Sequence, residues 1–288
     1  MIWLVGNRGQ LGAEVEKLLS VRNIPFIASD LEVDITDPAS IERFTTGKDL
    51  EWIINCAAYT AVDGAETERK KAFHINSDGA CNLAAAAKDS GARIVYISTD
   101  YVFDGDKEGE YTEEDAPHPL NVYGESKLEG EARTRETNVL HYIIRTAWLY
   151  GGKKKNFVTT MLSAFGKGGD VRVVSDQYGG PTWTGDLAAA VLRIVLSGGG
   201  EYGIYNFSGE GRTSWYGFAR EIYKQATMLG LLHKKAVIIP IATADYPTAA
   251  GRPYNSCLSK DRIRRTFGAA VPRWEDSLKK YLRGIRDG

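Results

Sequence analysis

Cysteine is scarce in this chain. Cys56, Cys81 and Cys257 are its three, widely separated and without C-x-x-C spacing. That excludes a disulfide framework and gives no zinc site, so free buried thiols are expected. Charge of either sign is not in excess: 36 Lys and Arg stand against 37 Asp and Glu, a net charge of −1. No overall field therefore draws the chain to nucleic acid or to an anionic membrane, and any partner must be recognised locally. Long apolar runs are missing too. "MIWLVGNRGQLG" is apolar for only five residues before turning polar and glycine-rich, which suits neither a signal peptide nor a membrane span and leaves a cytoplasmic location as the expectation. His74, His118, His141 and His233 are scattered without metal-ligand spacing, no internal repeat is visible, and Lys153, Lys154 and Lys155 read as a solvated loop.

What is present is an ordinary globular composition, 43% hydrophobic and 25% charged, at a length where one core usually begins to divide. One large and one small domain are expected. In the first half, β-rich runs alternate with helical patterns: "MIWLVG", "GAEVEKLLSVR", "PFIAS", "PASIERFTT", "WIINCAA", "KAFHINSDGACNLAAAAKDSG" and "RIVYIS". This alternation predicts βαβ units, and the near-continuous apolar strands predict a sheet covered on both faces. The expected class is α/β, a doubly wound parallel sheet (Rossmann) over residues 1–150, with parts of 182–225 returning to it. Glycine-rich breaks after residue 150 predict a smaller α/β, mainly substrate-binding region over 151–288.

Between the first strand and first helix lies "GNRGQLG", with Gly6, Gly9 and Gly12. Glycines let the backbone turn tightly and approach a pyrophosphate, whose charge rests on the helix N-terminus. The spacing is G-x-x-G-x-x-G, a departure from G-x-G-x-x-G. Asp30 closes the second strand, where an acid can bond a ribose 2′-hydroxyl and repel a 2′-phosphate; this mildly favours NADH over NADPH, although Arg8 could accept that phosphate, and Asp30 could instead cap a turn. In "VDIT", Asp34 and Ile35 either flank an adenine or form a simple turn.

"NVYGESK" sets Tyr123 four residues before Lys127, on one face of a helix. A free phenol has a pKa near 10, and a neighbouring ammonium is expected to lower it. Upstream, "RIVYISTDYVFDG" ends a buried strand in Ser98 and Thr99, at the edge where doubly wound sheets bind ligands. A phenol, its ammonium and an orienting hydroxyl suit carbonyl reduction by hydride, with general acid catalysis supplying the proton.

At these residues the chain resembles the extended short-chain dehydrogenase/reductases. More narrowly, "YISTDYVFDG", "PLNVYGESKLEGE", "RTAWLYG", "DQYGGPTWTGDLA", "YNFSG" and "GRPYNSCLS" are similar, in order and from residue 1 to about 260, to the dTDP-4-dehydrorhamnose reductase family. The resemblance implies NAD(P)H-dependent reduction of the C4 keto group of a dTDP-keto-sugar, with Thr99, Tyr123 and Lys127 catalytic. It implies a cofactor held by Gly6, Arg8, Gly9, Gln10, Leu11, Gly12, Asp30, Asp34, Ile35, Ala57, Ala58, Tyr59 and Asn76, besides Tyr123 and Lys127. For the sugar nucleotide it implies Thr60, Val62, Thr99, Tyr101, Trp148, Gln177, Arg252 and Asn255. Asn76 could equally bond backbone, and Trp148 could be core. Some members of the family use magnesium (Mg2+) at a subunit interface, which would fit a homodimer, but no acidic cluster here demands it, and no metal ligands are expected. The alternatives are another nucleotide-sugar reductase or epimerase on the same scaffold, or a non-catalytic dinucleotide-binding regulatory subunit; the presence of Thr99, Tyr123 and Lys127 argues against the latter.

Overall fold

In the computed structural model, which describes residues 1–152 and 154–287, strand and helix alternate from the first residues onward. Lys153 lies outside the described residues. The order is β1 (Ile2–Val5), α1 (Gln10–Val21), β2 (Phe26–Ser29), α2 (Pro38–Thr45), β3 (Trp52–Asn55), α3 (Val62–Thr67), α4 (Arg69–Phe73), α5 (Gly79–Asp89), β4 (Arg93–Thr99), α6 (Val122–Thr137) and β5 (His141–Thr146). The helix-like stretch before β4 is interrupted by one π-helical turn, His74–Asp78, the kind of bulge that re-aims a side chain.

Then come β6 (Leu149–Tyr150), α7 (Phe157–Lys167), β7 (Gly169–Val174), β8 (Tyr178–Gly179), β9 (Thr182–Trp183), α8 (Thr184–Leu196), β10 (Gly203–Phe207), β11 (Thr213–Ser214), α9 (Trp215–Met228), β12 (Ala236–Ile241), α10 (Asp261–Phe267) and α11 (Trp274–Asp287). Six parallel strands form the central sheet in the order β10-β5-β4-β3-β1-β2. The chain reverses its direction of winding between β1 and β3, and there the strand ends splay to leave a crevice.

Alternate residues of each strand feed opposite cores. Ile2, Leu4, Ile54 and Val95 pack with Leu11, Val15 and Leu19 of α1 and Val191 and Ile194 of α8. Trp3, Val5, Ile53 and Ile94 pack with Leu83 and Ala87 of α5 and Ile41 of α2. The period of two, apolar at every position, explains why the strands read as continuous hydrophobic runs. A separate core of Tyr150, Val158, Phe165, Phe218, Ile222, Leu278 and Leu282 joins α7, α9 and α11, and beside it β7 pairs in parallel with β12. Among the described residues no helix is long and apolar enough to cross a membrane.

Helix α6 is built differently from α1. Its buried face is small and polar: Gly124, Ser126, Lys127, Gly130, Glu131 and Thr134. Asn121 caps it, its Oδ1 accepting from Gly124 N at 2.8 Å while its Nδ2 donates to Gly251 O. A Cβ on Gly130 would stand 2.2 Å from Asn76 O in the π turn and 2.4 Å from the Tyr96 hydroxyl. The missing side chain thus lets α6 lie directly on its neighbours. Helix propensity alone would favour alanine by about 1 kcal/mol, so a Gly130→Ala chain that is less stable by about 1–3 kcal/mol isolates the clash. Denaturant unfolding measures it, and a midpoint raised by the propensity gain would show the contact to be slack.

Candidate active site

Two clefts open at the carboxyl ends of β1, β3 and β4. The first, about 500 Å³, is lined by Gly6, Gly9, Asp30, Asp34, Ile35, Cys56, Ala57, Ala58 and Lys154. It shares Gly9, Cys56, Ala58 and Lys154 with the second, about 620 Å³, whose lining includes Gln10, Leu11, Thr60, Val62, Thr99, Tyr101, Tyr123, Lys127, Trp148 and Trp215. Trp215 also borders a third cavity of about 220 Å³ that holds Gln177, Arg252, Arg172 and Tyr246. The first two share lining residues and form one trough, which the third borders at Trp215.

The glycine loop is shaped as its spacing suggests. Gly6 has φ +78° and its N–H donates to Ser29 O at 2.7 Å; Gly9 N donates to Gly6 O at 3.0 Å. A Cβ on Gly12 would stand 2.1 Å from Gly6 O, so the helix start can approach the loop only as glycine. Arg8 is paired with Glu32 at 3.4 Å on the surface. Asp30 lines the first cleft. Asp34 both lines it and closes a turn, its Oδ1 accepting from Thr36 N at 2.9 Å and from the Thr36 hydroxyl at 2.7 Å. Those bonds, the hydroxyl first, hold its carboxyl below the usual range.

Tyr123, Lys127 and Thr99 meet on the floor of the second cleft. Lys127 is 1% exposed, its Nζ makes no hydrogen bond, and it stands 4.0 Å from the centre of the Tyr96 ring. Burial drives its pKa down to about 7, against the pull of Glu131. Tyr123 goes the other way. Burial pushes the phenol up to about 12, opposed by the Thr99 hydroxyl and reinforced by Asp100. The expected lowering of the phenol by Lys127 is therefore not found: the ammonium faces Tyr96, and the cost of burying a phenolate dominates. Tyr101 meets Tyr123 edge to face at 6.0 Å.

The sequence reading missed Asp100, the residue after Thr99. It is 3% exposed, accepts from the Thr99 hydroxyl at 3.1 Å, leaves Oδ2 without a partner, and is pushed up to about 6 by burial. Its acidic type and its place in the "STDY" strand end were the only signal. Trp215 was missed as well. Its ring stacks on Trp148 at 3.5 Å and 7°, while the Trp148 backbone holds φ +47°, a conformation that large side chains adopt only when their surroundings impose it.

Several expected ligand residues are put to other use. Asn76 is 1% exposed and lines neither cleft: its Oδ1 accepts from Tyr59 N at 2.8 Å, and its Nδ2 donates to Tyr59 O and to Ser126 Oγ. Its amide bonds the Tyr59 backbone past β3 and Ser126 on α6. Tyr59 likewise turns its phenol to Glu68 at 2.7 Å, away from the cleft. Asn255 donates to Lys107 O and Gly109 O and accepts from Cys257 N, bracing that loop. Gln177 borders the third cavity, outside the catalytic cleft, and donates to Thr243 Oγ1. Arg252 borders the same cavity but is forked onto Asp63, Nη1 to Oδ1 at 3.1 Å and Nη2 to Oδ2 at 2.8 Å, a pairing that preorganises the guanidinium. Among the described residues no group of three or more His, Cys, Asp or Glu is placed to hold a metal ion.

A family model described as the RmlD substrate binding domain matches residues 1–286. A curated dTDP-4-dehydrorhamnose reductase from Aggregatibacter actinomycetemcomitans is 42% identical over 283 residues, 96% of each chain. Among solved structures, a dTDP-4-dehydrorhamnose reductase from Clostridium acetobutylicum aligns with a TM-score of 0.93 at 40% identity, over 99% of both chains. One from Bacillus anthracis, in complex with NADP, aligns with a TM-score of 0.92 at 36% identity, over 98% of both.

Gly12 offers a test of the glycine loop independent of any substrate. Gly12→Ala forces the loop off α1 and should weaken NADPH or NADH binding, followed by nucleotide fluorescence, by about tenfold or more, which is about 1.4 kcal/mol. Unchanged affinity would mean that the loop does not carry the pyrophosphate.

Proposed function

Because the chain belongs to the RmlD substrate-binding-domain family, we propose that it reduces the C4 keto group of dTDP-4-dehydro-β-L-rhamnose with NAD(P)H. The product is dTDP-β-L-rhamnose, in the last step of dTDP-L-rhamnose synthesis. The observation that carries this reading is the meeting of Thr99, Tyr123 and Lys127 in one cleft directly beyond the glycine loop.

The residues of the trough fit a dinucleotide. Gly6, Gly9 and the start of α1 form the anion-binding turn, the small Ala57 and Ala58 leave room at the end of β3, and the buried Lys127 Nζ lacks the partner that a ribose hydroxyl would provide. Bound there, the reduced nicotinamide would supply the hydride. Tyr123 supplies the proton. A phenol whose pKa lies near 12 stays protonated at neutral pH, which is the state required of an acid, and the alkoxide it meets is a much stronger base. Thr99 stands beside the phenol and orients the carbonyl oxygen, while Lys127, whose Nζ has no partner, holds the cofactor ribose.

Trp148 and Trp215 together offer a flat apolar wall for the C–H face of a hexose, and Tyr101 closes the pocket opposite. Beyond Trp215, the third cavity brings Arg252 and Arg172 together with Tyr246 and Gln177, cations for a diphosphate and an aromatic ring for a base. On the cofactor side Asp30 favours NADH, and Arg8, engaged by Glu32, is drawn away from a 2′-phosphate.

A coupled assay from dTDP-glucose with the upstream dehydratase and epimerase should yield dTDP-rhamnose; accumulation of the upstream intermediate would reject the substrate. Replacing Tyr123 with Phe should cut turnover by about two to four orders of magnitude, the usual worth of a general acid, with cofactor affinity retained. Asp30→Ala should raise the NADPH-to-NADH ratio of kcat/KM by roughly tenfold, about 1.4 kcal/mol. An unchanged ratio would place that carboxylate away from the ribose.

A further inference from the structure

The lysine loop that follows β6 is exposed, as its sequence suggests, yet it is tied down by groups distant in the chain. Lys154 and Lys155 are its described lysines, and both line the trough. Asn156, 9% exposed at the N-cap of α7, donates from Nδ2 to Gly151 O at 3.1 Å, to Lys154 O at 3.1 Å and to the Tyr281 hydroxyl at 3.2 Å. The Tyr281 hydroxyl, on α11, donates in turn to Gly152 O at 2.8 Å. Gly151 lies so close to the start of α8 that a Cβ there would stand 1.7 Å from Thr184 Oγ1. On the side of the glycine loop, Gln10, the first residue of α1, donates to Lys155 O at 3.4 Å. A backbone held at this many points gives an exposed lysine a defined origin.

Lys154 lies where the two clefts meet. The residues common to both are Gly9, Cys56, Ala58 and Lys154: the N-cap of α1, the end of β3 and one cation from the second half of the chain. Among the described residues that line the first cleft it is the only cation, set against Asp30 and Asp34. Without it those acids alone would face an anionic ligand. The glycine loop offers N–H groups and a helix dipole worth about half a unit charge, while the diphosphate of a dinucleotide carries a full charge on each phosphate. Arg8, the cation within the loop itself, is paired with Glu32.

We propose that Lys154 binds the diphosphate of the dinucleotide, completing the positive charge that the glycine loop supplies only in part. The assignment rests on the cofactor reading given above. The diphosphate of a sugar nucleotide has the same chemistry, but the cavity that brings Arg252 and Arg172 together is lined without Lys154. An exposed ammonium on a short, braced loop suits this task, since it reaches a phosphate as a point charge and needs no fixed fork geometry.

The test follows nucleotide fluorescence as the full chain is titrated with NADH and with NADPH, and needs no keto-sugar. Lys154 is exposed, so its replacement leaves the core intact. Lys154→Gln should weaken both dinucleotides alike, by about three- to tenfold, the worth of one charge-assisted contact at a site open to solvent. Lys154→Arg should retain most of the affinity. The gap between wild type and Lys154→Gln should narrow as salt is raised, because an exposed contact of opposite charges is screened, whereas a purely structural effect would persist. A loss confined to NADPH would place the lysine on a 2′-phosphate, and a loss seen only in calorimetric titration with dTDP would place it on the sugar nucleotide; either overturns the proposal, as does unchanged affinity for both dinucleotides. If the wild type binds neither dinucleotide, the cofactor reading fails and the assignment falls with it; if the wild type binds both and Lys154→Gln binds as tightly, the assignment alone fails.

Discussion

The site depends on how closely α6 lies against the sheet. At Gly130 an added Cβ would stand 2.2 Å from Asn76 O, and the Tyr96 hydroxyl, donating to that same oxygen at 2.9 Å, ties β4 to the π turn. Asn76 closes the arrangement by bonding both the end of β3, through the Tyr59 backbone, and α6, through Ser126. Backbone contact and an amide therefore help to set Tyr123 and Lys127 over the strand ends, beside an apolar cluster that includes Val122 and Tyr123. Past Val122, the buried face of α6 consists of glycines, hydroxyls and charges.

The same closeness sets the electrostatics. A lysine buried this deeply would lose its proton readily, and a buried phenol would hold on to its own. Both tendencies appear, in opposite directions, within one helical turn. The carboxylates that modify them, Asp100 toward Tyr123 and Glu131 toward Lys127, come from the turn just past β4 and from α6.

Much of this was legible in the sequence, since its signals are local. The glycine triplet, the continuous apolar strands and the Tyr-x-x-x-Lys spacing each follow from the geometry of a few consecutive residues. The relatives bear out the doubly wound fold and the reductase family read from those motifs. What the sequence did not reveal are the long-range partners. Asn76 and Asn255 look like ligand contacts because an asparagine in a motif invites that role, yet each satisfies backbone groups that only the folded chain brings near. Asp63 and Arg252, 189 residues apart, carry no mark in the sequence of belonging together. Trp215 falls within the stretch, 182–225, parts of which were expected to return to the sheet; nothing local reveals that its ring stacks on Trp148.

That stacked pair has a consequence for how the protein can change. Trp215 forms a wall of both the catalytic cleft and the neighbouring cavity, and it holds Trp148 in a backbone geometry that the indole would not choose alone. A single ring thus serves two compartments. A substitution that reshapes Trp215 therefore alters both chambers at once, and their shapes diverge only through paired changes.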